Sequence, residues 1–196
     1  MTQRMIFQSQ PTDSLSQEIK DAWILCAGRS SRCPDKLTRK FSGKTLPEHA
    51  WDFAIINGLR PHILTTQRYP GTAGCLDGRT GYVLFGDNYY HGCIPRPPGA
   101  CYTCSYRDCE GLAVVAGDRI VEKPHAFHGV HCCFTGYCYI DRWESLDISR
   151  RGEFEITDLL NKINAKAIPL PCMWAHYSVP ADYERVKRYV EACQEG

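Results

Sequence analysis

The chain has 196 residues, 43% of them hydrophobic and 23% charged, a balance that supports a real core and excludes a disordered chain. Its formal charge of +1 excludes nucleic-acid or membrane binding driven by bulk charge, so any anion must be met locally. There is no apolar run long enough to span a bilayer and no apolar segment in the first twenty residues, which predicts a soluble, cytoplasmic protein.

Residues 1–21 read as a polar lead-in and residues 22–196 as a single domain. Residues 22–27 are a short apolar run stopped by Gly28, the pattern of a buried first strand. Pro47 near its start and Asn57-Gly58 at its end frame a helix over residues 47–56. A second strand fits residues 62–66, a turn or short helix Gly71-Thr72-Ala73-Gly74, and a third, wholly apolar strand residues 82–85, ending at Gly86-Asp87-Asn88. Prolines at 95, 97 and 98 mark a loop. Beyond it, residues 112–115 and 119–122 form a predicted hairpin around Ala116-Gly117-Asp118, followed by a strand over 132–140. A helix over 156–163, a strand over 167–173 and an amphipathic helix over 180–193 complete the chain. That last helix gathers Tyr183, Val186, Val190 and Cys193 on one face, with Ser178 as its expected cap. Strands and helices alternate first and mix later, which predicts an α/β fold with a central mixed sheet flanked by helices.

Twelve cysteines would suit a disulfide scaffold, but Cys26, Cys132, Cys133, Cys138 and Cys172 fall where buried strands are expected, and there thiols pack as small hydrophobes. Cys93, Cys101, Cys104 and Cys109 lie in an expected loop. Cys101 and Cys104 have the spacing of half a zinc site, but a lone pair favours free thiols over structural Zn²⁺. His125, His128 and His131 recur every third residue, a series read as incidental.

In an alternating α/β chain, ligands collect at the carboxyl ends of the strands. After the first strand, Gly28, Ser30 and Ser31 let backbone amides approach anionic oxygens, while Arg29, Arg32 and Lys36 bring positive charge, an arrangement suited to a triphosphate. After the third, Asp87 puts a carboxylate where a divalent cation would bridge phosphates.

Leu25-Cys26-Ala27-Gly28-Arg29-Ser30-Ser31-Arg32 resembles the L-A-(A/G)-G-x-G-(S/T)-R signature of the sugar-1-phosphate nucleotidylyltransferases, which join an NTP to a sugar 1-phosphate and release pyrophosphate. Lys36, eight residues before Lys44-Thr45-Leu46, resembles the lysine of the P-K-(x6)-G-K-P-L block. Gly71-Thr72-Ala73-Gly74 resembles the G-T-A-G turn, and Leu84-Phe85-Gly86-Asp87-Asn88 the L-x-G-D-N strand end. Gly111-Leu112-Ala113-Val114-Val115, Val121-Glu122-Lys123-Pro124, Thr135-Gly136-Tyr137 and Gly152-Glu153-Phe154-Glu155-Ile156-Thr157-Asp158 follow in family order. The last two favour the glucose-1-phosphate thymidylyltransferase-like branch over choline-phosphate cytidylyltransferases, in a shortened form.

The resemblance implies a Rossmann-like, GT-A-like nucleotidyltransferase fold, with NTP and a sugar 1-phosphate as partners and a homo-oligomer compatible with it. It assigns nucleotide binding to Leu25, Ala27, Gly28, Arg29, Ser30, Ser31, Gly71, Thr72 and Gly86, and catalysis to Arg32, Lys36 and Asp87. Sugar-phosphate binding falls to Gly111, Glu122, Lys123, Thr135 and Glu155. The family's W-x-D-x-G-T appears here as Trp174-Ala175-His176-Tyr177-Ser178-Val179, so His176 stands beside Asp87 as the second metal ligand. The implied ion is Mg²⁺, with Mn²⁺ favoured by the imidazole. Ser30 replaces a glycine. The purely structural alternatives are a turn or helix-capping aspartate at Asp87, an exposed hairpin pair at Glu122-Lys123 and a kinked core strand at Thr135-Gly136. A binding relative without turnover and a GT-A-type glycosyltransferase are the alternative functions.

Overall fold

The computed structural model describes residues 20–27, 33–94, 99–108, 112–122, 129–148, 152–170 and 172–195. In chain order the elements are β1 (Asp21–Leu25), β2 (Lys40–Phe41), β3 (Lys44–Thr45), α1 (Leu46–Ile56), β4 (Arg60–Leu64), α2 (Thr72–Leu76), β5 (Gly81–Phe85) and β6 (Asn88–His91). They continue with β7 (Cys101–Asp108), β8 (Val114–Ala116), β9 (Arg119–Val121), β10 (Val130–Ile140), α3 (Ile156–Lys162), β11 (Lys166–Pro169), β12 (Met173–His176) and α4 (Tyr183–Gln194).

One sheet runs in the order β11-β7-β10-β5-β1-β4, with the β8–β9 hairpin attached to β10. β1 is parallel to β4 and β5, whereas β10 is antiparallel to β5 and β7, so the expected change from alternating to mixed architecture occurs at β10. Successive side chains of β1 leave opposite faces. Ala22 and Ile24 pack with Ala50, Phe53 and Ala54 of α1, and Leu25 packs with Ile156, Leu159 and Leu160 near α3. A third cluster joins Val186 and Val190 of α4 to Phe41, Tyr89, Ala175 and Tyr177, pinning α4 across the small β2–β3 and β6–β12 ribbons. The start of α1 follows its sequence signal: Thr45 and Glu48 form a reciprocal capping box and Pro47 sits in the first turn.

Several expectations are corrected. The predicted strand over 167–173 is two strands in different sheets, β11 beside β7 and β12 beside β6. Cys101 and Cys104 lie on strand β7, not in a loop. Three residues apart on a strand, they point to opposite faces, which is incompatible with shared ligation in that conformation. Cys26 and Cys172 are half-buried and lie outside the strands. Ser178 is not the cap of the last helix. Asp182 instead accepts hydrogen bonds from the backbone amides of Ser178 and Val179 (3.0 and 3.1 Å) in a short 3₁₀ turn before α4. The expected face of that helix holds, with Val186 and Val190 buried and Tyr183 and Cys193 against the same cluster. Among the described residues, no helix is long and apolar enough to cross a membrane.

Candidate active site

The carboxyl ends of β1 and β5 lie side by side, Leu25 opposite Phe85, and the Gly86 amide donates to the Leu25 carbonyl (3.0 Å). Asp87 is thereby set beside Cys26 and Ala27. Lys36 comes from a turn in which the Lys36 amide donates to the Cys33 carbonyl and the Arg39 amide to that of Asp35. An Arg39–Asp35 ion pair (2.7 Å) and the stacking of Arg39 on the Tyr183 ring brace this turn against α4. From there the Lys36 Nζ donates to Asp87 Oδ2 at 2.7 Å. The β6–β12 ribbon brings in the C-terminal part of the chain: His176 pairs with Asn88, and the Tyr177 amide donates to the Asp87 carbonyl (3.0 Å).

Burial pushes the Asp87 carboxyl up, but the Lys36 ammonium opposes it by charge and by hydrogen bond, and the carboxyl stays below the usual carboxylate range. Burial drives the His176 imidazole down to about 4, more than Asp87 and Asp182 can offset. The ring is therefore neutral at physiological pH, and among the described residues Lys36 is the cation paired with Asp87.

The opposite wall is made where two distant segments are stitched together. The Ala73 amide donates to the Phe154 carbonyl (2.9 Å), and the Phe154 amide to the Pro70 carbonyl (2.8 Å). The Thr72 hydroxyl donates to Glu155 Oε2 (3.1 Å) and accepts from the Ile156 amide (2.9 Å). Gly71 makes this approach possible. Its φ is +97°, and a Cβ there would stand 2.4 Å from the Phe154 carbonyl oxygen. Gly71→Ala is expected to lower stability by about 2–4 kcal/mol, measured by urea denaturation, because both backbone strain and a backbone clash must be relieved.

Glu155 is almost fully buried, and Glu122 accepts a hydrogen bond from the Thr157 hydroxyl (3.2 Å) nearby. Burial first, and then the charge of Glu122, push the Glu155 carboxyl up to about 7. An unfolded glutamate titrates near 4.5, so between that pH and about 7 the folded chain keeps a proton the unfolded one has lost. Stability should fall as pH rises through this window and level off above it, by at most about 3 kcal/mol. Denaturation midpoints from pH 5 to 8 should show the decline in the native chain and a flatter profile in Glu155→Gln.

These walls enclose a cavity of about 740 Å³. Leu25, Ala27, Lys36, Gly71, Thr72, Asp87, Glu122, Thr135, Glu155 and His176 all line it, so ten sequence-predicted residues converge on one space. Gly86 does not line it: it is buried beneath, against Leu25 and Cys26. Thr135 lines the cavity, but its hydroxyl hydrogen-bonds to that of Thr103 and is engaged within the sheet. Gly28, Arg29, Ser30, Ser31, Arg32, Gly111, Lys123, His125 and His128 lie outside the described residues. The cavity wall also includes Gln67, Asn88, Glu153 and Trp174. The last three sit inside quoted motifs, whereas no pattern in the sequence singles out Gln67.

Asp87 and His176 are chemically suited to a divalent cation. One offers a carboxylate that already holds an ammonium, the other a neutral imidazole with a lone pair to give. Among the described residues no group of three His, Cys, Asp or Glu side chains gathers around one point, so water and substrate oxygens would supply the remaining ligands. Mg²⁺ at phosphates is commonly bound in that way.

The fold is that of nucleotidyltransferases of known structure. The inositol-1-phosphate CTP transferase from T. maritima matches with a TM-score of 0.67 over 91% of this chain and 97% of its own, at 16% identity. A Bacillus anthracis protein assigned as a glucose-1-phosphate thymidylyltransferase, solved in complex with sucrose, matches with 0.66 over 87% and 94%, at 18% identity. The CTP:phosphocholine cytidylyltransferase from Streptococcus pneumoniae gives 0.63 over 88% and 100%, at 16% identity. No family model matches the chain, and no curated protein matches it in sequence. Thymidylyl and cytidylyl enzymes thus fit the backbone almost equally well, and the likeness is one of fold.

Proposed function

We propose that the protein is a nucleotidylyltransferase that transfers an NMP from an NTP to a sugar 1-phosphate, giving an NDP-sugar and pyrophosphate. The observation that carries this reading is the meeting of Lys36, Asp87 and His176 in one large cavity at the strand ends of a nucleotidyltransferase fold. The acceptor's phosphate oxygen attacks the α-phosphorus in line, a new P–O bond forms, and the bond to the bridging oxygen of the β-phosphate breaks with pyrophosphate as leaving group. Little covalent work falls to the protein, so positioning and charge neutralisation carry the rate.

In this reading Lys36 neutralises the charge growing on the α-phosphate, and Arg32 receives the β- and γ-phosphates and the departing pyrophosphate. Glu122 and Glu155 accept hydrogen bonds from acceptor hydroxyls, and Lys123 and the Gly111 backbone meet the acceptor phosphate. Asp87 and His176 would hold Mg²⁺ or Mn²⁺. When bound, that ion would supply electrostatic neutralisation of phosphate charge. The preserved Lys36 and Arg32 argue against glycosyl transfer, because a donor diphosphate needs no clamp for leaving pyrophosphate. Among acceptors, glucose 1-phosphate with a thymidine nucleotide fits the sequence resemblance best.

The test is pyrophosphate release across a matrix of four NTPs with glucose 1-phosphate, inositol 1-phosphate and phosphocholine, each with Mg²⁺ or Mn²⁺. Release with a sugar phosphate is the expected result. Release of NDP from an NDP-sugar would replace this reading by glycosyl transfer, and NTP binding with no product in any cell of the matrix would replace it by a binding role.

A further inference from the structure

We propose that Lys36 is a mobile countercation, which occupies the cation position of Asp87 while no metal–nucleotide complex is bound and gives it up when one arrives. The inference rests on the nucleotidyl-transfer reading, which supplies both the metal and the phosphate. The Lys36 ammonium sits 2.7 Å from Asp87 Oδ2, with side-chain exposures of 24% and 14%, so both charges are largely withdrawn from water. A divalent ion ligated by that oxygen would be placed against the ammonium. Two cations on one poorly hydrated carboxylate oxygen repel strongly, which drives the lysine off that oxygen.

The surroundings allow it to leave. Lys36 stands on a turn rather than in a helix or strand, carries a flexible four-carbon stem and already lines the cavity. Its destination is the phosphate that the nucleotide brings in. After the exchange Asp87 is paired with the metal and Lys36 with phosphate, so neither partly buried charge is left alone in either state. Two consequences follow for binding. Metal alone binds weakly, because it must evict Lys36 without offering it a new partner. Metal and nucleotide then bind with positive coupling, and by linkage each tightens the other to the same degree.

The experiment titrates the full chain with Mn²⁺ and follows free Mn²⁺ by electron paramagnetic resonance, with and without a non-hydrolysable NTP analogue. Lys36→Met should bind Mn²⁺ about tenfold tighter than the native chain without nucleotide, and adding Asp87→Asn should abolish that gain. The NTP analogue should tighten Mn²⁺ binding by about tenfold in the native chain, within the usual range of such coupling, and by much less in Lys36→Met. If Lys36→Met does not fold, as judged by circular dichroism, Lys36→Gln takes its place. Mn²⁺ binding no tighter in the variant than in the native chain would overturn the exchange. Should pyrophosphate still be released in that case, the exchange alone fails; tighter Mn²⁺ binding with no pyrophosphate from any substrate pair removes the reaction and leaves the exchange standing.

Discussion

Lys36→Ala should lower pyrophosphate release at saturating substrates by about two to three orders of magnitude, the usual loss when one oxyanion-stabilising group is removed. The expectation rests on where the ammonium stands. Lys36 lines the cavity at the joined ends of β1 and β5, 2.7 Å from a carboxylate that would hold the metal. In-line phosphoryl transfer leaves the protein little to do except neutralise charge, so the loss should fall on kcat more than on KM. An alanine here also strands the Asp87 carboxylate, which has 14% of its side chain exposed, and so costs some stability. Thermal melting separates the two effects: a folded variant with a nearly full-length transition and no turnover supports the assignment, whereas near-native turnover removes Lys36 from the chemistry. Tighter metal binding in the same inactive position, as the exchange requires, is a result that unfolding cannot produce.

Much of this arrangement is legible in the sequence because the signals are local. The apolar runs of β1 and β5 are buried as read, and Pro47 marks the first turn of α1 as expected, with the Thr45–Glu48 capping box added by the structure. Lys36, Asp87, Glu122, Glu155 and His176 sit in short motifs, and all five reach the cavity. What fails is non-local. The pairing of Asn88 with His176 joins two short strands far apart in the chain, and neither strand has a periodicity of its own long enough to read. β7 is masked by a neighbouring proline-rich stretch and by cysteines that invite a loop or metal reading. Thr135 reaches the cavity wall, but its hydroxyl turns into the sheet. The register of β10 against β7 shifts between Phe134 and Cys138, Gly136 takes a φ of +76°, and the hydroxyl is left facing Thr103. The bond between Thr72 and Glu155 is hidden for the same reason: two motifs expected to serve different substrates share one hydrogen bond, a fact of tertiary approach rather than of spacing.

Asp87→Asn should be as damaging as loss of Lys36, lowering turnover by about three orders of magnitude, and raising the metal concentration should not restore it. An amide keeps the size of the side chain and can still accept a hydrogen bond from Lys36, but it removes the anionic donor that Asp87 supplies at the joined ends of β1 and β5. His176, neutral after burial, cannot replace that charge. The structural cost is small by comparison. Lys36 keeps 24% of its side chain exposed and can turn toward water, while the Asp87 carbonyl still receives the Tyr177 amide and so holds β12 in place. The melting temperature should therefore fall by no more than about 2–4 °C, the size of about 1 kcal/mol in a chain of this length. The two substitutions differ in sign where the metal is concerned: Mn²⁺ affinity rises without Lys36 and disappears without Asp87. A catalytic loss shared by both variants, together with opposite changes in metal binding, would assign charge neutralisation at the phosphates to Lys36 and metal retention to Asp87. Equal metal affinities in the two variants would show that Asp87 is a turn aspartate whose partner is simply Lys36.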